Sequence, residues 1–168
     1  CPPGTMVTVR NLFFNVPARR KFLRTVRTEM GHIRQRAATY ALAHPAVGFT
    51  LTADGKTLYR LPEGATLRER VRDLFGAGRL EHLVDAEHSE RGVTVRGLVG
   101  TPDSARNDRT EQYVFVNGRP ASAAVVGYAL NESYRSVLPR GRHPVVFLFI
   151  EVPDETVDVN VHPTKREV

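Results

Sequence analysis

"FTLTADGKTLYRLPEGATLRERVRDLFGAG", residues 49–78, changes character halfway through. Its first half reads as a hairpin, with Asp54-Gly55 as the turn signal. Its second half reads as a short helix, opened by a capping box of Thr66 with Glu69 and closed by Gly76. Between them, Pro62 to Gly64 is the candidate domain junction. From residue 63 onward the expected order is helix, three strands, helix, two strands. That order predicts an α+β sandwich with its helices on one face.

Working outward toward the C-terminus, strands fit residues 81–88 and 92–100. "TPDSARNDRTEQ" is polar and carries Pro, Asn and Asp, which reads as a mobile loop. "YVFVNGRPAS" reads as a strand ending in Asn117-Gly118. Ser122 is placed to cap a helix reaching Leu138, with Val126, Ala129, Leu130 and Val137 facing inward. "PRGRH" is a turn and "PVVFLFIEV" a buried strand. In "VDVNVHPTKREV", Val157, Val159 and Val161 alternate with Asp158, Asn160 and His162, the two-residue period of a half-buried strand. Pro163 removes a backbone donor and ends the ladder. Lys165 follows, one of three lysines among 24 basic residues.

Toward the N-terminus, "GTMVTVRNLFFNVP" alternates as a strand and then becomes a loop. Asn15 and Pro17 signal a helix start, and a helix is expected from Ala18 to Ala43. Phe22, Val26, Met30, Ile33, Ala37 and Tyr40 recur at helical spacing as one apolar stripe, with Arg20, Arg24, Arg27 and Arg34 opposite. The positive charge is concentrated here. Residues 1–36 hold eight basic side chains against Glu29 alone, whereas the rest holds 16 basic and 17 acidic groups.

Composition excludes several classes. The chain has 168 residues, 41% hydrophobic and 25% charged, enough for a buried core in one large domain or two small ones. The apolar run "VVFLFI" is too short to cross a bilayer, and no signal-peptide pattern is present. Cys1 is the only cysteine, which rules out a disulfide framework or thiolate zinc site within these residues. A cytoplasmic protein with no membrane partner is expected. Asp158, His162 and His143 fall short of a metal's ligand set, so no metal site is expected. No nucleophile elbow and no G-x-x-x-x-G-K-[ST] loop occurs.

Two features could carry chemistry. The row of arginines suits phosphates, whose neutralisation releases counterions, but a solvated helix face would look the same. Lys165 sits on a loop just past a rigid strand, which suits a point charge delivered to a ligand held elsewhere. An ordinary surface lysine would also fit.

Three stretches, "GTMVTVRNLFFNVPARRKFL", "YVFVNGRP" and "VDVNVHPTKREV", resemble the MutL family of DNA mismatch-repair ATPases, of the GHKL group. In order, they span residues 4 to 168. The resemblance implies that residues 1–62 are the C-terminal part of a GHKL ATPase domain, a partial α/β sandwich. Residues 63–168 would then be a transducer domain, similar to a domain of a small-subunit ribosomal protein. It implies that Gly4 and Thr5 lie beside the adenine end of ATP, and that Lys165 reaches the γ-phosphate. It places Arg20, Lys21, Arg24 and Arg27 on a DNA-contacting surface. ATP and Mg²⁺ are the implied cofactors of the full-length protein, and DNA, a MutS-type recognition protein and a second copy its implied partners. The family's catalytic glutamate, Mg²⁺-binding asparagine and D-x-G-x-G box precede the Gly-Thr motif and have no counterpart here. The chain is therefore expected to be a piece of a longer protein that neither hydrolyses nor tightly binds ATP alone. A type II topoisomerase B-subunit region, and a stand-alone nucleic-acid-binding module, are the alternatives.

Overall fold

A computed structural model describes residues 3–121 and 124–153. The chain divides into two compact units, residues 1–36 and 37–168. In the first unit residues 4–10 are not a strand, contrary to the alternation. A strand needs a ladder partner for its backbone groups, and the described residues supply none to this segment. Val7 and Val9 are exposed. Two turns come next, closed by Phe14 N–H to the Asn11 carbonyl (2.9 Å) and Val16 N–H to that of Phe13 (3.1 Å).

The helix expected from Ala18 is two helices, α1 (Pro17–Arg20) and α2 (Val26–Ala43). A local cap explains the break. The Thr25 hydroxyl accepts the Thr28 N–H at 3.2 Å, and the Glu29 carboxylate accepts the Arg24 N–H at 2.8 Å. These bonds begin a new helix where a periodic reading sees only continuation. The expected apolar stripe is also not the buried face. Phe22 and Val26 are 83% and 81% exposed, and α2 instead buries Ala38, Thr39, Ala41 and Leu42 near its C-terminus.

In the second unit the hairpin forms as read, with β1 (Phe49–Ala53) antiparallel to β2 (Lys56–Leu61). Asp54 and Gly55 have φ of 49° and 73°, the type I′ geometry whose twist matches the strands. Next, α3 (Leu67–Phe75) carries the expected capping box: Thr66 accepts the Glu69 N–H, and the Glu69 carboxylate accepts the Thr66 N–H at 2.8 Å. The Thr66 N–H, and after it the Thr66 hydroxyl, which also donates to that carboxylate at 2.8 Å, lower the Glu69 pKa. The short α4 (Ala77–Leu80) comes after Gly76.

The remaining strands are β3 (Leu83–Glu90), β4 (Val93–Gly100), β5 (Gln112–Val116), β6 (Arg119–Pro120) and β7 (Val146–Glu151). They make one sheet in the order β3-β4-β7-β5-β6, parallel between β5 and β7 and antiparallel elsewhere. Helix α5 (Ala124–Ser133) lies between β6 and β7 in the chain, and its described end falls short of Leu138. Ser122 lies outside the described residues.

Both faces of this sheet are covered, not one. Leu83, Leu98, Tyr113, Phe115 and Phe147 pack with Leu42 of α2 and Val71 of α3. On the other face Val114, Val146 and Leu148 pack with Leu130 of α5. A strand buried on both sides cannot alternate with polar residues, and "YVFV" and "VVFLFI" do not. Of the residues expected inward on α5, Leu130 is buried and Val126 half-buried, while Ala129 is exposed, as is Val137 beyond the helix. Tyr113 and Phe147 stack across neighbouring strands at 5.4 Å, with Phe75 of α3 tilted against both. Gly97 has φ of 147°, and a Cβ there would collide with the Phe147 carbonyl oxygen, so β4 can approach β7 only with glycine.

The polar stretch 101–112 is held, where a mobile loop was expected. Pro102–Ser104 form a 3₁₀ turn, and Ser104 and Ala105 are buried. Arg106 and His143 exchange two backbone hydrogen bonds of 2.8 Å. The Arg142 guanidinium donates to the Ala105 carbonyl and the Asn107 side chain. The Glu111 carboxylate lies between Arg79 at 3.0 Å and Arg106 at 3.4 Å. Polar composition here marks a network of ion pairs and backbone bonds.

Candidate functional site

The four cations expected on a DNA-contacting surface are spread over several segments, and of the four arginines expected on one helix face only Arg27 and Arg34 lie on α2. Arg20 ends α1, Lys21 caps it, Arg24 lies in the connection, and Arg27 is in the first turn of α2. All four side chains are exposed, and none is in an ion pair among the described residues. Glu29, the one acidic residue of this segment, spends its carboxylate on the Arg24 N–H. Cations beside the N-terminal end of a helix meet its positive dipole end, so Arg27 gains nothing from α2. An anion there would gain from both. Chemically, the segment offers uncompensated positive charge to a polyanion.

Gly4 and Thr5 are also exposed, and a Cβ at Gly4 would meet nothing within 4 Å. The segment is thus open to a ligand. Lys165, Asp158 and His162 lie outside the described residues. Among the described residues no three His, Cys, Asp or Glu side chains come together as a metal site would need. No described helix is long and apolar enough to cross a membrane.

Two residues with defined roles escaped the sequence reading. Arg70 of α3 is fully buried, and its Nη2 donates to the carbonyls of Pro45 (2.6 Å), Val47 (3.0 Å) and Pro62 (2.8 Å). Its guanidinium carbon lies 5.9 Å from the Phe49 ring centre. Desolvation lowers its pKa, opposed by Asp73, yet guanidinium stays charged in proteins. A signal for Arg70 existed: Leu67, Arg70, Val71 and Leu74 fall on one helical face, so the charge occupies a core position. The other residue is Asn117, placed by the sequence only at the end of a strand. Its Oδ1 accepts the Val152 N–H and its Nδ2 donates to the Val152 carbonyl, both at 3.0 Å. No periodicity reports such a bond across 35 residues of chain.

A groove of about 680 Å³ opens beside β3 and β4, floored by Leu67, Leu98 and Phe149. Its rim carries Arg68, Asp85, Glu87 and Arg96, two charges of each sign; Arg68 pairs with Asp85 at 2.6 Å, and Arg96 with Glu151 outside the groove at 2.7 Å. The Arg68 bond lowers the Asp85 pKa. Such a rim presents little net charge to a ligand.

Residues 71–168 match the family model described as DNA mismatch repair protein, C-terminal domain. The chain is 48% identical over 167 residues to the DNA mismatch repair protein MutL of Opitutus terrae, covering 99% of this chain and 27% of that protein. It is 49% identical over 165 residues to MutL of Geobacter sulfurreducens, covering 98% of this chain and 27% of the relative. Among solved structures, an N-terminal domain of a DNA repair protein is similar over 92% of this chain and 52% of its own, at 26% identity and a TM-score of 0.76. The Aquifex aeolicus MutL ATPase domain complexed with ADP is similar over 86% of this chain and 51% of its own, at 32% identity and a TM-score of 0.63. The chain thus spans about a quarter of the relatives' length and about half of those solved domains.

Proposed function

The chain belongs to the MutL family of DNA mismatch repair proteins, and from that premise we propose that it is the part of a MutL protein that couples ATP binding to DNA engagement. In this reading residues 1–62 complete a GHKL ATP-binding domain and residues 63–168 form the transducer. The observation that carries the proposal is the similarity, over 86% of the chain, to a MutL ATPase domain complexed with ADP. Neither alternative drawn from sequence accounts for that similarity together with close relatives that are mismatch repair proteins.

Gly4 and Thr5 would border the adenine end of ATP, and their open, exposed backbone leaves room for it. The described residues offer no acidic cluster for Mg²⁺, so that ion and the catalytic base would be held by other parts of the full-length protein. ATP, when bound, supplies the phosphoryl group whose charge must be balanced. Lys165 would bring a point charge to the γ-phosphate, and fixed positive charge is a large share of catalysis in phosphoryl transfer. A lysine that reaches its target in only one arrangement of two domains also biases that arrangement. Arg20, Lys21, Arg24 and Arg27 would hold the DNA backbone. A MutS-type protein and a second copy of the chain are the proposed partners, in the cytoplasm and without a membrane.

Lys165→Ala in the full-length protein is expected to raise the barrier to ATP turnover by about 3 kcal/mol, the effect of losing one oxyanion donor. The 168-residue chain alone is expected neither to turn over nor tightly bind ATP. Steady-state ATPase assays of both check this. Near-normal turnover by the variant, or any by the isolated chain, would refute the assignment.

A further inference from the structure

We propose that Arg70 is a lock that joins residues 45–62 to α3 as one rigid body, so that no hinge operates at Pro62–Gly64. A proline followed by Glu63-Gly64, with φ of 69° at the glycine, has the composition of a flexible joint. The structure fastens it twice. Gly64 and Ala65 donate their N–H groups back to the carbonyls of Ala46 and Pro45, both at 3.2 Å. Arg70, in the first turn of α3, then reaches back with one nitrogen. Its Nη2 is shared among the carbonyls of Pro45 (2.6 Å), Val47 (3.0 Å) and Pro62 (2.8 Å). The Pro45 carbonyl thus receives both the linker peptide and the helix. On the β1 side the guanidinium lies over the Phe49 ring, 5.9 Å from its centre.

Filling the core does not by itself explain an arginine here. Taking a guanidinium out of water is costly, and its acceptors are carbonyls rather than a carboxylate. Its Nε and Nη1 are buried with no acceptor among the described residues. Leucine or methionine would cover the same apolar neighbours without that penalty. What the cation adds is direction: three carbonyls aimed at one nitrogen hold the 45–47 loop and the end of β2 in one arrangement against α3. Helix α3 is itself fixed to the sheet through Val71, and the end of α2 through Leu42 in the same core. Hairpin, helix and sheet therefore move together. In keeping with this, the chain's compact units divide after Arg36 and not at Pro62. The lock stands on contacts within residues 45–71, whatever the chain does with ATP. Its bearing on nucleotide-driven movement rests on the proposed division at residue 62, because a hinge needs a few residues free to change their backbone angles.

The test uses the full-length protein. Amide exchange at Gly64 and Ala65 is expected to quicken about tenfold or more in Arg70→Met, while exchange along the β4–β7 ladder changes less than about twofold. Arg70→Lys keeps the charge and offers three donors, so its exchange should fall between the two, and it carries the comparison if the methionine variant does not fold. Equal quickening in both places would mean that Arg70 only supports the core. Unchanged exchange at Gly64 and Ala65 would mean that it fastens nothing. Either result overturns the proposal. A second measurement leaves Arg70 in place. Spin labels at the exposed positions Thr57 of β2 and Val84 of β3 should keep one separation with and without a non-hydrolysable ATP analogue. A separation that shifts when the analogue binds overturns the lock. An analogue that fails to bind the same sample would instead remove the functional reading, and the exchange comparison would still decide the lock.

Discussion

Residues 1–36 and residues 37–153 have comparable shares of apolar side chains but use them in opposite ways. In the first region Met6, Val7, Val9, Phe14, Phe22 and Val26 are exposed, and the basic side chains have no acidic ion-pair partner among the described residues. In the second, Phe115, Phe147, Val145 and Leu98 are buried, and charges such as Glu111 sit between opposite charges. Hydrophobicity alone therefore does not make a core. An apolar side chain is buried when the same stretch of chain also supplies the surface that covers it. The second region does so with helices on both faces of one sheet; the first leaves its apolar groups uncovered within these residues, as one part of a larger domain would.

The most direct way to break this contrast is to truncate one phenylalanine in each region. Phe147→Ala removes a ring stacked on Tyr113, with Phe75 tilted against it, and is expected to cost about 3–5 kcal/mol in denaturant unfolding. Phe22→Ala should cost less than about 0.5 kcal/mol, since the ring is exposed. Equal effects would mean that the two regions differ less than their exposures indicate.

A smaller effect is expected from alkali. Burial, then the nearby Glu111 carboxylate, raises the Tyr113 pKa from 10.0 to about 12. A raised pKa means the fold favours the neutral phenol, so its contribution is whole below pH 10 and lost as pH climbs toward 12. About 2–3 kcal/mol is at stake. Unfolding tracked from pH 9 to 12 should show that loss in the native protein and not in Tyr113→Phe.

The smallest effect concerns the exposed cations. Reversing Arg24 and Arg27 to Glu in the full-length protein should weaken DNA binding, and lower the salt dependence by about one unit of slope per lost phosphate contact. Titrations at several salt concentrations measure this. An unchanged slope would mean that the free charge of the first region is not a DNA footprint.

Local chemistry was the part of the fold that the sequence carried most clearly. Asp54-Gly55, the Thr66 and Glu69 box, and Gly76 each act through their own few residues, and each appears where expected. What a face packs against is not local. The stripe from Phe22 to Tyr40 has the right spacing, but spacing cannot say whether a covering surface exists. The break before α2 was missed because Thr25 bonds Thr28, a cap hidden inside an otherwise helical run. The two-faced burial is legible in the unbroken apolar runs of β5 and β7, whereas element order alone points to helices on one face. Of the site, the positions of the four cations along the chain were legible, but the break that leaves Arg20 and Arg24 outside α2 was not. Lys165, on which the functional reading turns, lies outside the described residues, and Asn117 is known only through a bond between distant parts of the chain.

Arg70 has a practical consequence for anyone dissecting the protein. Its three acceptors come from Pro45, Val47 and Pro62, upstream of the helix that carries it. Cutting between Pro62 and Glu63 would strand a guanidinium in an apolar setting with nothing to receive its protons. A shorter version meant to behave as an autonomous piece should therefore begin before Pro45, and one begun at Glu63 would be expected to express as an unstable or aggregating product.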